Sequence, residues 1–106
     1  MKRFAALATA LAATATCGLA GSASHEVGQK NKSFTVEKLT VRVGDTVDFP
    51  NLDPFFHNVF SLSPAKTFDL GSYAKGDSKK VTFDKQGTVE VECAIHPNMK
   101  MTIEVK

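Results

Sequence analysis

The sequence predicts an all-β domain, a sandwich or barrel of seven or eight short strands, and three observations lead to this prediction. From about residue 33 onward, apolar and polar residues alternate in short runs, which is the side-chain period of a half-buried strand. Turn-forming residues, such as Gly44-Asp45 and residues 84–87, separate these runs. No run in that part of the chain sustains the 3.6-residue apolar period of a helix. With 106 residues and no internal repeat, one β domain is expected.

Each predicted strand is a short run bounded by turn residues. Residues 51–54 form a loop because Asn, Asp and Pro each favour turn geometry, and residues 74–78 form another. Gly71 is expected to end the strand before that second loop. The predicted strands are 39–43, 46–49, 57–60, 67–70, 79–83, 88–93 and 101–105.

The alternation also predicts which side chains point inward. On the strand 88–93, Cys93 shares a face with the apolar residues Val89 and Val91, so its thiol is expected in the interior. On the last strand, Met101 shares the apolar face and is expected in the core, whereas Met99 lies before that strand, in a loop.

A secretory leader is predicted at the N-terminus. Met1-Lys2-Arg3 is basic, residues 4–16 are apolar and uncharged, and small residues follow. Cleavage after residue 20, 23 or 24 fits the pattern, and we expect residues 1–24 to be the signal peptide and residues 25–106 to be the domain. Cys17 lies in the leader, and the residues before it match a lipidation signal poorly.

Removing the leader changes the composition in two respects. The net charge falls from +2 to zero, because Lys2 and Arg3 are lost, leaving 11 basic and 11 acidic residues. A role in binding polyanions therefore loses its support. Of the two cysteines only Cys93 remains, so a domain of about 82 residues would have no internal disulfide, and a metal is a common substitute. No second apolar stretch could span a bilayer, so a soluble protein is expected.

The residues Cys93-Ala94-Ile95-His96-Pro97-Asn98-Met99 place three metal-binding side chains in one short loop. Pro97 biases His96 away from helical geometry and keeps the loop compact. His57, at the start of a predicted strand, is the candidate for a fourth ligand. A thiolate, two imidazoles and a thioether are the ligand set of a blue-copper centre, whereas zinc does not usually take methionine. Each residue taken singly also has a structural explanation in packing or solvation.

The combination of Gly44-Asp45-Thr46-Val47-Asp48-Phe49, His57-Asn58-Val59 and the Cys-x2-His-x2-Met loop resembles the plastocyanin/azurin family of small cupredoxins, most closely the amicyanin branch. The resemblance implies a Greek-key β-sandwich, one type 1 copper ion and single-electron transfer in the periplasm. It also implies that His57, Cys93, His96 and Met99 are the ligands. Asn58 would tie the two ligand loops together and donate a backbone hydrogen bond to the Cys93 sulfur. An N-terminal strand is expected to be abbreviated.

The resemblance further implies that His96 reaches the surface and serves as the site of electron exchange. Pro97, Met99, Phe55 and Phe56 would form an apolar collar around it, on which redox donors and acceptors dock transiently. A monomer is expected, with no nucleic-acid partner and no membrane insertion.

Three alternative functions fit the sequence less well than electron transfer. A copper carrier or buffer would bind the same metal, but such proteins more often use exposed Met- or His-rich loops, which are absent. A copper enzyme would need histidine clusters beyond His25, His57 and His96. A metal-free sandwich is disfavoured by the ligand spacing. His25 is expected to be a disordered terminal residue, although a terminal amine with an imidazole can chelate copper.

Overall fold

The computed structural model describes residues 22–106, and within this range the chain forms ten β-strands and no helix. The predicted leader up to residue 21 lies outside the described residues, and the predicted boundary at residue 25 falls inside the first strand. None of the described residues belongs to a helix that could cross a bilayer. The strands are β1 (Ser24–Glu26), β2 (Gln29–Lys30), β3 (Ser33–Phe34), β4 (Lys38–Val41), β5 (Thr46–Pro50), β6 (His57–Ser61), β7 (Phe68–Tyr73), β8 (Ser78–Thr82), β9 (Gly87–Cys93) and β10 (Lys100–Val105).

Two sheets pack face to face, which confirms the predicted all-β sandwich. The larger sheet has the strand order β4-β10-β9-β6-β7, and the smaller one has the order β1-β5-β8. The strand pairs β1–β5 and β4–β10 are parallel, and the other pairs within these sheets are antiparallel. The buried side chains of the two inner faces form one core, to which the larger sheet contributes Val59, Val89, Val91 and Ile103 and the smaller sheet contributes Val47 and Phe49.

Three short strands before residue 38 were not predicted. Strand β1 pairs with β5 from Ser24 opposite Thr46 onward, at the edge of the small sheet. Its residues are polar and mostly exposed, so the alternation that marks a half-buried strand is missing. Strands β2 and β3 form a hairpin whose two turn residues, Asn31 and Lys32, have φ of 56° and 58°. Positive φ at both central positions is the conformation of the tight turn that matches strand twist.

Most predicted strands end within one residue of the observed position, and two of them end two or three residues away from it. Strand β4 stops at Val41, because the carboxylate of Asp45 accepts the Arg42 amide and turns the chain there. Val43, expected to continue the strand, is therefore exposed. Strand β7 continues past Gly71 to Tyr73, because Gly71 adopts a φ of +73° inside the strand, where the pairing with β6 shifts register.

The predicted inward faces are confirmed on β9 and β10. Cys93 is buried with Val89 and Val91, and Met101 is buried with Ile103. Strands β6 and β9 are neighbours in the large sheet, so the start of β6 and the end of β9 meet at one end of the sandwich. The loops 51–56 and 94–99 lie at this same end.

Candidate metal centre

Three metal-binding side chains converge where β6 begins and β9 ends. The Nδ1 atom of His57 lies 3.6 Å from the Cys93 sulfur, and the Nδ1 atom of His96 lies 3.8 Å from it. All three donor atoms lie within 4.8 Å of one another. His57 and Cys93 are buried, and His96 is half-buried. The structure thus brings together three of the four predicted ligands with their donor atoms facing a common centre.

The chain reaches this arrangement through one strand pair and one tight loop. Val59 pairs with Cys93, so His57, two residues earlier on the same face of β6, lies close to the thiol. In the loop, the Met99 amide donates to the His96 carbonyl at 2.9 Å, and the Cys93 amide donates to the Met99 carbonyl at 3.3 Å. The compact ligand loop that the sequence predicts is therefore present.

Asn58 links the two ligand segments through its backbone. Its amide donates to the Cys93 sulfur at 3.4 Å, as expected, and its carbonyl accepts the Ala94 amide at 3.0 Å. The Asn58 side chain points elsewhere and donates to Asp69 on β7. Such a hydrogen bond orients the sulfur and would tune the potential of a bound metal.

Asp53 is a residue of the site that sequence reasoning missed. Its Oδ2 atom lies 2.7 Å from Nε2 of His57, the ring nitrogen that faces away from the cluster. Burial alone would raise the pKa of Asp53, but the hydrogen bonds from His57 and from the Lys32 and Asn31 amides hold it below its usual value. The sequence offers one weak signal, a carboxylate four residues before the histidine.

Met99 is buried at the end of the ligand loop, directly before β10. Because its side chain is only 1% exposed, the prediction that Met99 belongs to an exposed apolar collar is wrong. The Met99 amide and carbonyl both bond within the loop, and its side chain belongs to the core cluster. Met101 lies in the core, as predicted from its alternation with Ile103.

His96 is the donor residue at the surface. Its ring centroid lies 4.9 Å from that of His57 and 5.6 Å from that of Phe55. Burial lowers the pKa of His96 below the ordinary histidine value, and electrostatic interactions with His57 and Lys32 lower it further. A neutral imidazole is the form that binds a metal ion.

Apolar side chains are exposed on the two loops at this end of the molecule, 51–56 and 94–99. Phe56 is 56% exposed, Ile95 48% and Leu52 43%, and Pro54 and Pro97 are also exposed. Phe55 is half-buried, with its ring 5.4 Å from His57 and its face under the Lys32 ammonium. Pro97 and Phe56 are thus exposed, as the predicted collar requires, and Phe55 is the apolar residue whose ring lies beside His96. Ile95 and Leu52 are exposed apolar residues of the same loops that sequence reasoning did not single out.

The donor set fits copper. One thiolate, two imidazoles and the thioether of the same loop combine soft donors that suit Cu(I) with nitrogens that tolerate Cu(II). Cys93 is free, as metal binding requires. The convergence of His57, Cys93 and His96 on one point is the test of fit, and the geometry meets it.

His25 lies at the other end of the sandwich and is ordered, so the expectation of a disordered residue is wrong. It belongs to β1, and its Nε2 atom lies 2.9 Å from Oδ2 of Asp45. The parallel pairing of β1 with β5 holds it there.

Comparison with known proteins gives consistent results. A sequence model described as "Copper binding proteins, plastocyanin/azurin family" matches residues 22–106. The structure is similar to the Cu(I) form of an amicyanin variant, with a TM-score of 0.73, 26% identity and coverage of 78% of this chain and 82% of that one. An oxidized amicyanin variant matches with a TM-score of 0.72, 26% identity and the same coverage of 78% and 82%.

A copper-containing nitrite reductase from Thermus scotoductus SA-01 also matches, with a TM-score of 0.72 and 29% identity. The match covers 76% of this chain but only 22% of the reductase, so this chain spans about a fifth of that enzyme. A search of curated proteins found no match.

Proposed function

Because the chain belongs to the plastocyanin/azurin family of copper-binding proteins, we propose that it is a small blue copper protein that carries single electrons between redox partners in the periplasm. Its fold is a cupredoxin sandwich similar to amicyanin, and its cofactor is one type 1 copper ion. The periplasmic location is proposed from the N-terminal sequence, with its basic start and apolar stretch.

We propose His57, Cys93, His96 and Met99 as the copper ligands. When bound, copper supplies a one-electron couple between Cu(II) and Cu(I). The chain supplies a preformed cage, in which the Asn58 amide stabilises the Cys93 thiolate and the buried His57 is held by Asp53. A rigid site that suits both oxidation states needs little rearrangement when an electron arrives or leaves.

The observation that supports electron transfer most is the exposure of one donor residue alone. Of the three converging donors, only His96 reaches the surface, and the two loops at this end also expose Phe56, Ile95 and Leu52. Only the His96 ring would therefore separate a docked partner from the candidate metal centre. An apolar surface of this kind suits the weak, short-lived contacts of redox proteins.

We propose a carrier rather than an enzyme, although one structural neighbour is a nitrite reductase. Within residues 22–106, a single cluster of histidine and cysteine could hold a metal, and four protein ligands would leave no open position for a substrate. The alternative is a copper carrier or buffer that delivers metal instead of electrons. The burial of His57 and Cys93 favours electron transfer, because a buried, closed ligand set releases its metal slowly.

Voltammetry combined with a chelator challenge separates the two functions. The copper-loaded protein is cycled between its oxidation states on an electrode while a Cu(I) chelator is present in solution. An electron carrier gives a stable, reversible wave and keeps its copper through repeated cycles. Loss of copper to the chelator within the first cycles would contradict the proposal and favour metal delivery.

A further inference from the structure

We propose that Asp53 is the positioning residue of the metal centre: it fixes the orientation and the tautomer of His57, and the turn of Asn31 and Lys32 holds Asp53 in place. The inference deepens the proposed copper function, on which it rests. It concerns a series of hydrogen bonds that runs from the amides of Asn31 and Lys32, through the Asp53 carboxylate, to the His57 ring.

The first step is the protonation pattern of the His57 ring. Nε2 lies 2.7 Å from Oδ2 of Asp53, and an ionised carboxylate can only accept hydrogen bonds. Nε2 of His57 must therefore carry the proton. In the neutral ring the other nitrogen, Nδ1, then has a free lone pair, and this is the atom that faces Cys93 at 3.6 Å. Asp53 thus selects the one tautomer whose lone pair points into the cluster.

The second step is the anchoring of Asp53 itself. Its Oδ1 atom accepts the Asn31 amide at 2.7 Å, and its Oδ2 atom accepts the Lys32 amide at 3.0 Å. The Asp53 amide in turn donates to the Asn51 side chain at 2.8 Å. Both Asn31 and Lys32 have positive φ, and this conformation aims their two successive amides at one carboxylate. The carboxylate is buried and has little freedom to turn away from His57.

The third step concerns what a carboxylate does to a metal-bound imidazole. A carboxylate hydrogen-bonded to the outer nitrogen fixes the ring and makes the inner nitrogen a stronger donor. Loss of such a partner typically reduces metal affinity by about 10–100-fold. The N-terminal hairpin, which is remote from the ligands in sequence, is thereby connected to the metal centre.

A purely structural role for Asp53 would explain the same hydrogen bonds, so the test needs a matched control. The chain offers one in Asp45, at the far end of β5. Asp45 is also buried, accepts the Arg42 amide and lies 2.9 Å from Nε2 of His25; where the chain retains Ala23, it accepts that amide as well. Asp45→Ala therefore removes a buried carboxylate that bonds a histidine and a backbone amide away from the candidate ligands.

The first experiment uses the metal-free protein and NMR of the histidine rings, at a pH above the ordinary histidine pKa. In the wild type we expect the His57 proton on Nε2, in slow exchange with water. In Asp53→Ala we expect rapid exchange and averaged tautomer signals, whereas Asp53→Asn, whose amide oxygen can still accept, retains the Nε2 proton. Asp45→Ala keeps the wild-type His57 signals. Wild-type signals in Asp53→Ala, or an equal change in Asp45→Ala, would overturn the proposal.

The second experiment measures copper affinity by competition with a chelator. We expect Asp53→Ala to bind copper about 10–100-fold more weakly than the wild type, Asp53→Asn to lose less, and Asp45→Ala to be unchanged. An equal loss in Asp53→Ala and Asp45→Ala would show a general effect of stability and contradict the proposal. If the wild type binds no copper, the proposed function fails, while the NMR result on the metal-free protein still decides the role of Asp53.

Discussion

Replacing Met99 by leucine separates the two roles that this side chain has in the structure, packing and proposed coordination. Leucine has nearly the same volume but no sulfur, so Met99→Leu removes the donor and keeps the core filled. Met101 provides the control, because it is a buried methionine on β10 whose alternation with Ile103 assigns it to the core. Met101→Leu should therefore change packing alone.

The expected cost in stability is similar for the two variants. Met99 is 1% exposed and Met101 is 2% exposed, so each side chain is fully packed. A volume-conserving exchange of this kind costs less than about 1.5 kcal/mol. For a domain of this size, that corresponds to a fall in Tm of no more than about 12 °C. Both variants should fold.

The assay is the visible spectrum and the reduction potential of the copper-loaded variants. We expect Met99→Leu to change the spectrum and raise the potential, because a thioether ligand would tune the potential of the Cu(II)/Cu(I) couple. Met101→Leu should leave both unchanged. If Met101→Leu alters the potential and Met99→Leu does not, the assignment of Met99 as the fourth ligand is wrong.

Three other side chains give predictions that can be checked separately. Phe56→Glu should slow electron exchange with the physiological partner and leave the visible spectrum intact; an unchanged rate would remove Phe56 from the docking surface. Tyr73→Phe loses the 2.7 Å hydrogen bond to the Phe49 carbonyl, so the free energy of unfolding should fall by about 1–2 kcal/mol, and an unchanged denaturant midpoint would argue against that bond. In a chain that retains Ala23, backbone hydrogen bonds from Ala23 and Arg42 lower the pKa of Asp45 from 3.8 to about 2. The stability that this carboxylate contributes is therefore present above pH 3.8 and lost as the pH falls toward 2. The free energies of unfolding of the wild type and of Asp45→Asn should converge over that range, and a constant difference between them would contradict this.

Local sequence pattern was sufficient to predict the strands that carry the ligands. The two-residue period of β9 places Cys93 inward with Val91, because alternate side chains of a strand share a face. The short spacing from Cys93 to His96 leaves room only for a tight loop, which the structure contains. His57 could be proposed from its chemistry, but its position beside Cys93 depends on the pairing of β6 with β9, which spacing alone does not specify.

The missed features depend on contacts between distant parts of the chain. Strand β1 is polar and lies at a sheet edge, so its pairing with β5 leaves no apolar alternation to detect. Asp53 acts through amides about twenty residues earlier, and nothing in the loop sequence shows that Asn31 and Lys32 adopt positive φ. The exposure of Leu52 and Ile95 follows from how the two end loops pack, which is a tertiary property.

Titration of the metal-free protein with Cu(II), followed by visible absorption, tests the central claim most directly. The account predicts an intense blue thiolate-to-copper band that saturates at one copper per chain and is absent in Cys93→Ser. The convergence of the His57, Cys93 and His96 donor atoms within 4.8 Å is the structural basis of this expectation. A colourless complex in the wild type, or a blue band that survives in Cys93→Ser, would contradict it.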